Sequence, residues 1–249
     1  MIIDKFRLDG KNAVVTGGAR GLGNGIARGL YEAGATVLLV DILPDVHKSA
    51  EEIDGDRVFA LQANLQGKDQ IQKACQDAVD IIKDVDILVN AAGIQHREKA
   101  VEFPDEEWSR VLDINLTSVF YMCQCIGNVM LKKGSGSIIN IASMLSFFGG
   151  VMIPAYAASK GGVAQLTKGL SNEWSKDGVR VNAIAPGYME TDMTATMKQD
   201  QIKDITARIP VGRWGTQDDV KGICVFLASE ASIYITGAVI PVDGGYLCR

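Results

Sequence analysis

A chain of 249 residues with a 47% hydrophobic fraction is long enough to build one large core, and no Pro-, Ser- or Gly-rich linker divides it. A formal charge of −5 with scattered basic residues argues against a nucleic-acid surface, and the apolar stretches break well short of the roughly 20 residues a membrane span needs. The five cysteines are odd in number and lack paired metal-ligand spacing, so they read as free thiols and imply no metal site.

The chain opens on Met1-Ile2-Ile3-Asp4-Lys5, where an acid appears at once and no apolar leader follows, so the expectation is a cytoplasmic protein. Asn12-Ala13-Val14-Val15 reads as a buried strand and runs into Thr16-Gly17-Gly18-Ala19-Arg20-Gly21-Leu22-Gly23. Helical periodicity follows, with Ile26, Leu30 and Ala33 on one face and Gly34 as the stop. A second apolar run, Thr36-Val37-Leu38-Leu39-Val40, ends at Asp41. Strand, glycine turn, helix, strand and acid stand in the order a dinucleotide site requires. The glycines admit a pyrophosphate close to the backbone, the helix N-terminus stabilises its charge, and the acid accepts hydrogen bonds from ribose hydroxyls.

Further strands are expected at 58–63, 86–90, 137–141, 180–185 and 238–242, alternating with helices near 67–83, 105–132, 155–177 and 217–229. This alternation predicts an α/β fold: a single-domain, Rossmann-type, doubly wound parallel sheet with helices on both faces. Ligands of such sheets bind at the carboxyl ends of the strands, where Gly17, Asp41, Asn90, Ser143 and Pro186 fall. Tyr156 and Lys160 are four positions apart on the 155–177 helix, which puts phenol and ammonium on one face. A nearby cation favours the phenolate and so brings a tyrosine toward use as a base. Taken alone, the pair is an ordinary helix surface; beside a nucleotide turn it points to proton transfer.

Thr16-Gly17 with Gly21-Leu22-Gly23, Asn90-Ala91-Ala92-Gly93, Asn115, Ser143, Tyr156 with Lys160, and Pro186-Gly187 followed by Thr191 are arranged as in a short-chain dehydrogenase/reductase. The resemblance covers the chain almost from end to end. It implies an oxidoreductase in which NAD is bound by Gly17, Arg20, Gly21, Leu22, Gly23, Asp41, Asn64, Leu65, Asn90, Ala91, Gly93, Tyr156, Lys160, Pro186, Gly187, Met189 and Thr191. It also implies that Tyr156 is the general acid/base and that Ser143 hydrogen-bonds the substrate oxygen. Lys160 would lower the phenol's pKa and bind the nicotinamide ribose, while Asn115 would hold a helix kink and a water linking Lys160 to solvent protons.

The sequence departs from the family pattern in two places. Ala91 replaces a usual asparagine, and Asn64 stands where most relatives carry an acid beside adenine. In addition, Arg20 occupies a position that binds the 2′-phosphate of NADP in some relatives. Asp41 would repel that phosphate and Ile42 is not the arginine such a site would use, so NAD is expected.

The stretches 93–98, 142–147, 185–189, 208–215 and 242–249 resemble the branch of the family that handles linear aldonic and ketoaldonic acids, implying a sugar-acid substrate. Arg97 is the first candidate to clamp its carboxylate; an ion pair with Glu98 or a neighbouring subunit is the competing reading. Gln95, His96, Met144, Tyr188 and Trp214 are further pocket candidates beside Ser143 and Tyr156, with ordinary packing the alternative for Met144 and Trp214. In relatives the stretch 187–214 is a substrate lid, with Thr191 on the cofactor's carboxamide; two plain surface helices are the alternative. Relatives also imply a homotetramer built from the 105–132 and 155–177 helices and the last strand, with Arg249 reaching a neighbour. A polyol, 3-oxoacyl or steroid substrate is the rival within enzymes. A non-enzymatic NAD(H) sensor is the rival outside them, and the presence of Asn115, Ser143, Tyr156 and Lys160 argues against it.

Overall fold

Seven apolar runs pair into one parallel sheet in the computed structural model, which describes residues 1–191 and 198–248. The strands are β1 (Asn12–Thr16), β2 (Thr36–Asp41), β3 (Val58–Gln62), β4 (Ile87–Asn90), β5 (Gly136–Ile141), β6 (Val179–Pro186) and β7 (Val239–Val242). Their order is β3-β2-β1-β4-β5-β6-β7. The winding therefore reverses between β1 and β4, where Thr16 lies in register with Asn90, and a crevice opens at such a reversal.

The helices are α1 (Gly21–Glu32), α2 (Val46–Ile53), α3 (Lys68–Ile82), α4 (Asp105–Leu112), α5 (Ser118–Lys133), α6 (Pro154–Trp174), α7 (Gln199–Thr206) and α8 (Gln217–Ala228). Side chains alternate across a strand, so each strand feeds two cores. Val14, Leu38, Leu88, Ile138 and Val181 pack with Ile71 and Ala78 of α3, Met122 and Ile126 of α5 and Val163 of α6. Val15, Leu39, Ile87 and Ile139 pack on the other face with Ile26 and Leu30 of α1, Val46 and Ala50 of α2 and Val220 and Cys224 of α8.

The helix expected over 105–132 is continuous but not uniform, because a π-helical turn, Asp113–Thr117, joins α4 to α5. The combined stretch Asp105–Lys133 is long and apolar enough to cross a membrane by length and composition, contrary to the sequence expectation of short apolar runs. Its Met122, Cys123, Ile126 and Met130 face the core. All five cysteines are free thiols, and burial pushes the Cys123 thiol up to about 12. Among the described residues no group of three or more His, Cys, Asp or Glu side chains is placed to hold a metal ion.

Candidate active site

The turn after β1 is closed on one side and open on the other. A Cβ on Gly17 would meet the Ala92 backbone at 2.8 Å, and one on Gly23 would meet the Gly17 carbonyl oxygen at 2.1 Å. Gly21, by contrast, takes φ +59° with nothing within 4 Å of where its Cβ would project. Thr16 Oγ1 ties the turn to the β4 loop by accepting from the amides of Ala91 at 3.1 Å and Ala92 at 3.2 Å. Ser49 and Asn24 hold the turn's carbonyls at Ala19 and Gly18. Asp41 stands at its mouth and accepts from the amides of Ala19 and Leu43, each at 3.0 Å. Each carboxylate oxygen keeps capacity for a further donor. An open glycine face at the N-terminus of α1 with a fixed carboxylate beside it fits a dinucleotide.

Other expected cofactor residues are placed differently. Asn90 directs its amide into the core, donating to Asn140 Oδ1 at 2.9 Å and to Cys123 Sγ at 3.3 Å, so its side chain braces the sheet. Leu65 and Met189 are buried in core clusters. Asn64 accepts from the Gln66 amide in a local turn, and Gly187 packs against Asp243. Arg20 is exposed at the start of α1, and Pro186 closes β6. Leu22, Ala91, Gly93 and Thr191 are half-buried.

Asn115, Ser143, Tyr156 and Lys160 are brought together from the π turn, the loop after β5, and α6. Asn115 is fully buried and clamps Ile94, accepting from its amide and donating to its carbonyl, both at 2.8 Å. Its amide also donates to Ser159 Oγ at 3.2 Å, so both of its donors are taken. Ser143 caps a 3-10 turn, Met144–Ser146, its hydroxyl accepting from the Leu145 amide at 3.1 Å, and it favours the ionised Tyr156 phenol. Ser146 Oγ donates to the Lys160 carbonyl at 2.7 Å.

Lys160 Nζ donates to the Ile141 carbonyl at 2.6 Å and lies 5.7 Å from the Tyr156 ring centre. The sequence expectation was that this ammonium lowers the phenol's pKa. Burial raises the Tyr156 phenol above the usual range, with the Ser143 hydroxyl opposing it. Burial also brings Lys160 down to about 8.

Met144 and Trp214 are buried in a third apolar cluster with Ile209 and Tyr246, against which Tyr188 and Leu145 pack. Trp214 Nε1 donates to Thr206 Oγ1 at 3.0 Å. Burial holds the Tyr188 phenol above the usual range, helped by Tyr246 and opposed by the positive charges of Arg208 and Arg97. Arg97 itself is exposed. His96 sits 3.4 Å from Glu107, which Arg110 also holds, and its ring meets Phe103 edge-on. Gln95 is half-buried on the same loop. The segment expected as a lid, 187–214, is described apart from 192–197, and Arg249 also falls outside the described residues. Sequence reasoning missed Ser146, which donates to the Lys160 carbonyl, and the placement of Arg208 and Tyr246 around Tyr188. The Gly244-Gly245 pair before Tyr246 was the available signal for a sharp turn there.

The family model described as Enoyl-(Acyl carrier protein) reductase matches residues 17–247. A 2-dehydro-3-deoxy-D-gluconate 5-dehydrogenase of Bacillus subtilis (strain 168) is 47% identical over 249 residues, covering 99% of this chain and 98% of its own. The chain belongs to the short-chain dehydrogenase/reductase family. A protein of the same description from Dickeya dadantii (strain 3937) is 46% identical over the full length of both chains. Among solved structures of the family, a gluconate 5-dehydrogenase from Burkholderia cenocepacia J2315 in complex with NADP and tartrate superposes with a TM-score of 0.96. That protein is 35% identical, with 100% of both chains covered.

Proposed function

We propose that this chain is an NAD-dependent sugar-acid dehydrogenase that interconverts a secondary hydroxyl and a ketone, acting on 2-dehydro-3-deoxy-D-gluconate or 2-deoxy-D-gluconate. The observation that carries the reaction is the convergence of Ser143, Tyr156 and the buried Lys160 at the carboxyl end of the sheet, where the open glycine turn also lies. The substrate class is supported by the relatives' names and full-length identity.

In this reading Gly17, Gly21, Gly23 and Asp41 would hold the cofactor, and Lys160 would hold its nicotinamide ribose. A bound nicotinamide dinucleotide supplies or takes the hydride. Ser143 Oγ and the Tyr156 phenol together grip the reacting oxygen, and their donors stabilise negative charge developing there. Tyr156 delivers a proton to that oxygen in ketone reduction and removes one in alcohol oxidation. Asn115 keeps the β4 loop and α6 at fixed spacing through Ile94 and Ser159. Arg97 and Gln95 face the substrate, and the 187–214 segment covers it. Asp41 favours NAD in this reading, because a carboxylate held in position by two backbone amides would repel a 2′-phosphate on the adenosine ribose. The active form is a homotetramer built on α4–α5, α6 and β7.

Initial rates with NAD and NADP against 2-dehydro-3-deoxy-D-gluconate, 2-deoxy-D-gluconate, gluconate and simple polyols test the reading. Sugar-acid turnover with NAD is expected. Activity confined to polyols overturns the substrate, and preference for NADP overturns the role of Asp41. Tyr156→Phe should lower turnover by about 100-fold or more while NADH still binds, as judged by its fluorescence.

A further inference from the structure

Two guanidiniums act on the Tyr188 phenol from separate parts of the chain: Arg97 from the loop after β4, and Arg208 from the loop after α7. Among the described residues neither has an ion-pair partner, although aspartates and glutamates outnumber lysines and arginines by 30 to 25. Both positive charges act on that phenol in the direction that favours its ionised form.

The local chain holds Arg208 in place. The Val211 amide donates to the Gly244 carbonyl at 3.1 Å, docking the 208–211 turn onto the C-terminal turn. Gly244 and Gly245 take φ +63° and +86°, and their missing side chains make room for this contact. A Cβ on Gly244 would lie 2.8 Å from Ile209 Cγ2, and one on Gly245 3.0 Å from Pro210 Cγ. The docking leaves the Arg208 guanidinium carbon 4.8 Å from the Tyr246 ring centre. Tyr246 meets Tyr188 edge-on at 5.4 Å, and Met144, the residue after Ser143, lies in the same cluster. The aromatic cluster under Arg208 therefore extends to the residue next to Ser143.

We propose that Arg208, held over Tyr246, binds the substrate's carboxylate and is the residue that makes the enzyme select acids over neutral sugars, with Arg97 assisting from the opposite loop. The inference rests on the sugar-acid reading and deepens it. A guanidinium positioned on a ring loses less freedom on taking a carboxylate, and its fork can make two parallel bonds to it. The aromatic wall beneath it excludes water from one side of that ion pair, which strengthens it.

The test compares wild type, Arg208→Gln and Arg208→Lys with 2-dehydro-3-deoxy-D-gluconate and with its neutral carboxamide at saturating NAD. Arg208→Gln should raise KM for the acid by about tenfold or more, the usual worth of a charged hydrogen bond. It should leave kcat, thermal melting and KM for the carboxamide near wild type, since Arg208 is exposed and supports no core. Arg208→Lys should recover part of the loss. Acid and amide KM values that shift together, or an acid KM that does not move, overturn the assignment of Arg208 while leaving the sugar-acid reading intact. A wild type that turns over no sugar acid removes that reading and the clamp with it.

Discussion

Lys160 carries the sharpest physical tension in the molecule. It is 4% exposed, its ammonium has one main-chain carbonyl as partner at 2.6 Å, and burial brings its pKa from 10.5 to about 8. Tyr156 is pushed the other way, so near neutral pH both groups keep their protons. That form is ready to deliver a proton to a ketone. Alcohol oxidation needs the pair with one proton fewer, and the first proton leaves near pH 8. Accordingly, kcat/KM for reduction should fall, and that for oxidation should rise, as pH passes through about 8. Profiles flat across that range in both directions would contradict the assignment. The same burial opposes folding. Lys160 binds its proton less tightly folded than unfolded, so its contribution to stability improves as pH rises from about 8 toward 10.5. At pH 7 the penalty is about 3 kcal/mol on the scale of pKa differences. Lys160→Met removes it but strands the Ile141 carbonyl at about 1–3 kcal/mol. The variant should melt at or above the wild-type temperature while losing turnover and the inflection near pH 8. A clear drop in melting temperature would show that the charge is stabilising.

Between elements, the decisive joint is the one that fixes the loop after β5 against α6. Ser143 and Lys160 come from different elements, and Ser146 joins them. It accepts from the Ser143 amide at 3.4 Å and donates to the Lys160 carbonyl at 2.7 Å. Loss of this positioning residue in Ser146→Ala should lower kcat by about tenfold, because small displacements of reacting groups are costly. KM for NADH should be unchanged, melting should fall only slightly, and Ser146→Thr should restore most of kcat. An unaltered kcat would reduce Ser146 to a cap. No sequence pattern announced this joint, whose partners are joined by tertiary approach. Most strands were legible because they are buried apolar runs such as Ile87–Asn90 or Gly136–Ile141, bounded by turn residues. The Gly17–Gly23 turn was equally plain, since Gly17 and Gly23 mark backbone positions where no side chain fits and Gly21 takes a positive φ. Two helices were harder to read. Val46–Ile53 is short and buries only Val46, Ser49 and Ala50, while Gln199–Thr206 is equally short and offers only Ile202 and Ile205 to the neighbouring apolar cluster. Arg208 was invisible for a further reason, because its meaning depends on Tyr246, which a glycine turn brings back from the far end of the chain.

At the scale of the molecule, the surface carries more apolar area than the catalytic crevice accounts for. Trp108 on α4 and Phe120 on α5 are 40% and 38% exposed, and Val151, just before α6, is 81% exposed. The edge strand β7 leaves Val239, Ile240 and Val242 only half covered, and an open apolar edge calls for a partner or a cover. α6 carries Tyr156 and Lys160, so a second copy packed along the α4–α5 and α6 surface would hold the catalytic helix from outside. The proposed homotetramer then has a measurable form: sedimentation equilibrium should give four times the 26.7 kDa chain mass at micromolar concentration. Phe120→Glu places a charge on one candidate face without touching the core, and should yield dimers that retain β7 contacts. Because assembly is linked to stability, those dimers should melt at a lower temperature, and the deficit should shrink as protein concentration rises. Loss of kcat in the dimer with cofactor affinity preserved would tie assembly to the placement of α6. A wild type that sediments as a monomer while fully active would remove any role for assembly in the site.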